Sequence, residues 1–159
     1  LDVDARRLGD LAPRLARNGV TIVSAALHDG RTPPEADRVL VDAPCSSLGT
    51  LRRSPDARWR LTPAGVTDFP ALQREILLRA SAAVRPGGTL LYATCALNRA
   101  ENEEVAEAFA RACPGFAPAP LAHGLGEPLA AALGAGATLT LAPHRHGTDG
   151  FFLAAFRRG

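Results

Sequence analysis

The chain contains no lysine and no methionine. All eighteen of its strong cations are arginine, so the positive groups are planar guanidinium forks suited to bidentate contact with phosphate or carboxylate. Sixteen acids leave a formal net charge of only +2, too small by itself to establish a nucleic-acid partner. A chain without even an initiator methionine is expected to be a piece of something longer. The three cysteines are odd in number and scattered, which excludes a disulfide framework. With no signal peptide at the start, a reducing cytoplasm is the expected compartment. The longest stretch without a charged or histidine side chain, residues 128–143, is rich in Gly, Ala and Thr and shorter than the ~20 apolar residues of a membrane span. No segment is expected to cross a bilayer. What is present is ordinary globular material: 47% hydrophobic and 21% charged residues exclude disorder as the main state, and 159 residues make one domain able to bury a core.

Residues 1–3 read as the end of a strand, and 5–17 carry Leu8, Leu11 and Leu15 near helical spacing around Pro13, stopped by Asn18-Gly19. A β-branched run at 20–25 and the segment RVLVD at 38–42 read as strands. The connection 43–67 is rich in Ser, Pro, Arg and Gly, and so long a link inside a compact domain points to a functional loop. Residues 68–84 predict an amphipathic helix through Leu72, Ile76, Leu77 and Ala80, ended by Arg85-Pro86-Gly87-Gly88. A strand follows at 89–94. Asn98 with Glu101 three residues on predicts a capping box opening an acidic helix to about Ala112. Residues 115–136 show no clear period, and 137–142 and 150–156 read as two strands joined by the loop 143–149. This order predicts an α/β domain whose sheet is mostly parallel and closes with a C-terminal antiparallel hairpin. In such sheets ligands sit beyond the carboxyl ends of the strands, which gathers Asp2, Asp29, Asp42 to Cys45, Thr94 and Cys95 along one edge.

Cys45 and Cys95 each follow a strand, so both thiols should face one crevice; two small buried hydrophobes is the plain alternative. Cys113, at a helix end, is assigned to packing. Zinc is disfavoured, because there is no CxxC pair and His28, His123, His144 and His146 have no ligand spacing with either crevice cysteine. Asp42 stands three residues from a thiol, with Pro44 stiffening the turn. Asp2 and Asp29 end short apolar runs, where an acid can accept from ribose hydroxyls or an adenine amino group, or simply cap a turn. Arg52, Arg53, Arg58 and Arg60 surround Trp59, a combination suited to phosphate contact and base stacking, with a solvated charged loop as the alternative.

Three segments carry a family resemblance: DAPCSSLGTLRRSPDARW at 42–59, LQREILLRASAAVRPGGTLLYATCALNRAENEE at 72–104, and PHRHGTDGFFLAAFRR at 143–158. Together they resemble the RNA cytosine-5 methyltransferases of the bacterial Sun or RsmB type, which act on small-subunit ribosomal RNA. The resemblance implies a class I, Rossmann-like fold using S-adenosylmethionine. It implies that Cys95 of the TC motif attacks carbon 6 of a cytosine, that Cys45 of the PC motif assists release of the enzyme, and that Asp42 stabilises or protonates the ring at nitrogen 3 while lying against the cofactor. Asp2 matches the acid that holds the cofactor ribose and Asp29 the acid near its adenine. A DNA cytosine methyltransferase would instead place the nucleophile at the Pro-Cys cysteine. Two motifs depart from the family pattern: TCS becomes Thr94-Cys95-Ala96, and CSG becomes Cys45-Ser46-Ser47. The family's first strand, glycine-rich cofactor loop and amino-terminal RNA-binding domain find no match in residues 1–159, and neither Gly124-Leu125-Gly126 nor Gly134-Ala135-Gly136 is placed to replace the loop. The expectation is therefore a partial catalytic domain, with a noncatalytic RNA-binding remnant as the competing reading.

Overall fold

The computed structural model describes all residues except Leu1, Val3, Ile22, Ser24, Ala25, Arg60 and the stretches 27–32 and 123–125, and no side chains at 63–65. It comprises two units, Leu1–Thr32 and Pro33–Gly159. In the first, helix α1 (Ala5–Arg17) forms where the leucine spacing predicts it, and Leu8, Leu11 and Leu15 are its less exposed stripe. Asp4 caps it by accepting the Arg6 N–H at 2.8 Å. Three residues of the strand expected at 20–25 lie outside the described residues.

The second unit opens with β1 (Ala36–Asp42), followed by two single 3-10 turns at Leu48–Thr50 and Pro55–Trp59. Helix α2 (Pro63–Ser81) then leads to β2 (Val84–Thr94), α3 (Glu103–Ala112) and β3 (Phe116–Pro118). The chain ends with α4 (Glu127–Ala132), β4 (Thr138–Leu141), α5 (Pro143–His146) and β5 (Phe151–Arg158). Among the described residues the sheet is mixed. β1 and β2 are parallel, as a strand–helix–strand crossover requires, whereas β5 runs antiparallel to β2, and β3 and β4 both pair antiparallel with β5, as expected for the closing hairpin of β4 and β5.

Several boundaries differ from the sequence expectation, three of them with a clear physical reason. Helix α2 starts at Pro63 instead of residue 68, because proline is well tolerated where the N–H has no helical partner anyway. β2 starts at Val84, not 89. Helix α2 already ends at Ser81, and the Pro86-Gly87-Gly88 expected to stop it falls inside the strand at an irregularity, where Ala36 pairs with Val84 and the register shifts before Arg38. A Cβ on Gly88 would come within 2.9 Å of the Asp37 carbonyl, so only glycine lets the two backbones approach there. Helix α3 starts at Glu103 instead of Asn98, since Asn98 and Glu101 close a turn of their own ahead of it.

Alternation along the strands sorts the core. Val39 and Val41 of β1, Leu90 and Tyr92 of β2, and Phe152, Ala154 and Phe156 of β5 face one side, where Leu77 of α2 and Val105 and Phe109 of α3 cover them. Phe109 packs edge-on against Phe116 and Phe156, at ring-centre distances of 5.4 and 4.8 Å. A smaller cluster of Ala119, Leu121, Leu139 and Ala155 lies on the other side.

Candidate active site

Parallel neighbours β1 and β2 stop at the same level, with Asp42 paired to Ala93. Neighbouring strands lie only about 4.8 Å apart, so the loops leaving them are forced together. Fifty residues of separation reduce to a distance of 3.2 Å between Cys45 Sγ and Cys95 Sγ, and both thiols are free. Ser47 Oγ lies 3.4 Å from Cys95 Sγ. The pair is electrostatically asymmetric. The hydrogen bond from Cys45 lowers the Cys95 pKa from 9.0 to about 6, helped by Ser47 and opposed by burial and by the charge of Asp42. Cys45 is pushed the other way, by its bond to Cys95 and by burial, and keeps its proton. The contact therefore favours the thiolate at Cys95 and the thiol at Cys45, an arrangement able to pair a nucleophile with a neighbouring S–H.

Two consecutive residues hold the loops that carry the thiols. Glu101 is fully buried, and its Oε2 accepts the Ser46 N–H at 2.8 Å and the Gln73 amide at 3.0 Å, while Oε1 accepts from Asn98. The Gln73 amide also donates to the Pro44 carbonyl at 2.9 Å, so the Cys45 loop is gripped on both sides of the cysteine. Asn102 occupies the N-cap position of α3 but spends its side chain elsewhere. It accepts from Thr94 Oγ1 at 2.6 Å and donates to the Ala96 carbonyl at 3.1 Å, on either side of Cys95. Tyr92 O–H donates to the Glu101 carbonyl at 2.6 Å, tying this corner to the sheet. The loops also meet backbone to backbone. Gly49 N–H donates to the Cys95 carbonyl and Gly150 N–H to the Gly49 carbonyl, both at 2.8 Å, and a Cβ on either glycine would collide with main chain.

The arginine loop is pinned to the C-terminal segment. Asp149, nearly buried, pairs with Arg52 Nε at 3.3 Å and Arg53 Nε at 2.7 Å, and Arg52 also donates to the Gly147 carbonyl. Both guanidinium groups remain half or more exposed. Arg58 lies over the ring of Trp59 at 5.2 Å, and Trp59 is 81% exposed. Arg60 and Asp29 lie outside the described residues. Asp42 is exposed at the end of β1. Asp2 belongs to the first unit, where its Oδ1 accepts the Asp4 N–H at 2.9 Å. Cys113 packs against the main core. The structure thus unites Cys45, Cys95 and Asp42 and adds Ser47, Gln73, Glu101, Asn102 and Asp149, which sequence reasoning did not single out as site residues. For Ser47 the signal was a side chain where a glycine pattern was due. Among the described residues no cluster of three His, Cys, Asp or Glu could hold a metal ion. A cavity of about 670 Å³ against Val39, Leu40 and Leu91 is lined by neither Cys45 nor Cys95.

Residues 1–157 match the family model for 16S rRNA methyltransferase RsmB/F. A methyltransferase relative from Mycobacterium tuberculosis is 50% identical over 82% of this chain and 29% of its own length. A Bacillus subtilis protein named as a ribosomal RNA small subunit methyltransferase B is 36% identical over 99% of this chain and 37% of its own. The crystal structure of NSun6 from Pyrococcus horikoshii with SFG superposes with a TM-score of 0.80 at 29% identity, covering 98% of this chain and 40% of that one. The chain thus spans about a third of the length of the curated relatives it matches. With a family match over nearly its whole length and an α/β mixed sheet shared with solved methyltransferases, the chain belongs to the RsmB/F family of 16S rRNA methyltransferases.

Proposed function

We propose that this chain is the thiol-bearing part of an enzyme that methylates carbon 5 of a cytosine in small-subunit ribosomal RNA through a covalent cysteine adduct. The observation that carries the reading is the pair of free thiols 3.2 Å apart, whose contact draws the Cys95 pKa down and pushes that of Cys45 up. Carbon 5 of cytosine is a weak nucleophile. Addition of the Cys95 thiolate to carbon 6 forms the Sγ–C6 bond and leaves the ring electron-rich at carbon 5, a case of covalent catalysis. Asp42, exposed at the end of β1, is the acid assigned to the ring: carrying a proton, it would donate to nitrogen 3 as negative charge develops there. After the methyl group is in place, a base must take the carbon 5 proton so that its electron pair expels Cys95 from carbon 6 as thiolate; Cys45 is the neighbouring group assigned to this release, and once Cys95 is bonded to carbon 6 the contact that chiefly keeps Cys45 protonated is gone.

S-adenosylmethionine, when bound, supplies the methyl group. The family match and a related structure holding SFG, an analogue of that cofactor, support its use. Asp42, an exposed carboxylate at the end of β1, fits such a role, being able to accept from cofactor hydroxyl or amino groups, while Asp2 and Asp29 are the acids that the family resemblance alone assigns to ribose and adenine. For the RNA, Arg52, Arg53 and Arg58 supply phosphate contacts, and Trp59, flat and exposed, supplies a stacking surface. The reading is tested by incubating the complete protein with small-subunit rRNA and methyl-labelled S-adenosylmethionine, then digesting the RNA to nucleosides. Label in 5-methylcytidine is the expected result. Label in any other nucleoside, or RNA binding with no transfer, would contradict it.

A further inference from the structure

Ser47 is the one residue other than glycine with a positive φ among those described, at φ 58° and ψ 23°. A side chain is disfavoured in that left-handed region, and a serine held there calls for a compensating role. Its hydroxyl supplies one. Oγ lies 3.4 Å from Cys95 Sγ and 3.4 Å from the Cys45 carbonyl, between the two cysteine loops. The Ser47 carbonyl in turn accepts from the Thr50 N–H and the Thr50 hydroxyl, both at 3.0 Å, which fixes the turn that aims the hydroxyl. A hydroxyl both donates and accepts. While Cys95 is a thiol, its S–H donates to Ser47 Oγ, which donates onward to the Cys45 carbonyl. Once Cys95 has lost its proton, the same hydroxyl can rotate its hydrogen onto Sγ.

We infer that Ser47 is a third member of the thiol site: its hydroxyl donates to the Cys95 thiolate and helps hold the nucleophile ionised, and the strained backbone is the means of placing it. As a statement about catalysis this rests on Cys95 being the nucleophile proposed above; as a statement about ionisation it rests on the geometry alone. Among the described residues, these groups bear on Cys95. Cys45 and Ser47 favour its charge and Asp42 opposes it, while Glu101 stands behind the Cys45 loop, bonded to Ser46, and Tyr92 stays neutral because burial raises its pKa.

The test uses Ser47→Gly and Ser47→Ala in the full chain, with the pH dependence of iodoacetamide alkylation at Cys95 resolved by peptide mass spectrometry and thermal melting measured alongside. Removing the hydroxyl should raise the alkylation midpoint in both variants by roughly half a pH unit or more, about a threefold loss of thiolate below the midpoint. Ser47→Gly, which also relieves the backbone, should melt higher than the parent while its thiol ionises less readily. A structural role moves both properties together. An unmoved midpoint in both variants overturns the proposal, and so does a midpoint that shifts only alongside a lower melting temperature in both. Methyl transfer by the complete parent protein separates the two claims. If the parent methylates RNA and the midpoint does not move, this inference alone falls; if the midpoint moves and no protein transfers methyl, the ionisation device stands and the methylation reading falls.

Discussion

Beyond the ends of β1 and β2, the pKa values of two chemically identical side chains are driven in opposite directions by contact with each other. Cys95 is the group whose ionisation affects folding at ordinary pH. Its folded pKa of about 6 lies below the ordinary 9.0, so it contributes stability that is fully present above 9 and is lost as pH falls through 6. Cys45, raised in the fold, contributes in the opposite sense, present below 9 and lost above it. The expected outcome is that the urea midpoint of the parent falls relative to Cys95→Ala between about pH 9 and about pH 6. Equal pH dependence in the two proteins would show that the thiol is not ionised in the fold. The pairing of these cysteines is legible in the sequence, because each directly or closely follows a strand and parallel neighbours bring strand ends together. Their asymmetry is not, since it depends on which thiol is more enclosed and on the hydroxyl of Ser47, facts of three-dimensional approach with no periodic signature.

Between elements, the site is held by polar side chains reaching from helices and turns into loops. Gln73 lies on α2, and Glu101 and Asn102 lie on the turn leading to α3. All three are buried, yet between them they satisfy the Ser46 N–H, the Pro44 and Ala96 carbonyls and the Thr94 hydroxyl. Glu101→Ala would leave the Ser46, Gln73 and Asn98 donors without their acceptor, at about 1–3 kcal/mol for each group that stays buried and unpaired. A loss of several kcal/mol by chemical denaturation is therefore expected, and a loss under about 1 kcal/mol would mean that water replaces the carboxylate without penalty. The spacing of Asn98 and Glu101 was visible as a capping box and was read as a helix start. The geometry is local and real, with the Glu101 N–H donating to Asn98 Oδ1 at 2.9 Å, but the glutamate is turned inward toward a loop 55 residues earlier in the chain. Sequence pattern registers i to i+3 relations and is silent on that one. The same holds for Asp149, whose ion pairs with Arg52 and Arg53 give those arginines a structural anchor in addition to the RNA contact proposed for them.

For the molecule as a whole, the succession of strands and helices along the chain is readable because hydrophobic periodicity dictates which faces are buried, whereas the order of strands in the sheet, with β5 between β2 and the β3 and β4 segments, is not, since antiparallel insertion leaves no mark in local pattern. The chain spans about a third of its curated relatives, so the proposed reaction belongs to the complete protein and its central claim is best tested there. That claim is the division of labour between the two thiols. Complete parent, Cys95→Ala and Cys45→Ala proteins, each mixed with small-subunit rRNA and S-adenosylmethionine, are to be run on one denaturing gel beside their methylation activities. The account predicts that Cys95→Ala gives neither methylation nor a slow-migrating adduct, and that Cys45→Ala methylates up to one equivalent and accumulates protein joined to RNA. The reverse pattern of bands would move the nucleophile to Cys45, and no adduct from either variant, with activity lost only in proportion to stability, would contradict covalent catalysis at this site.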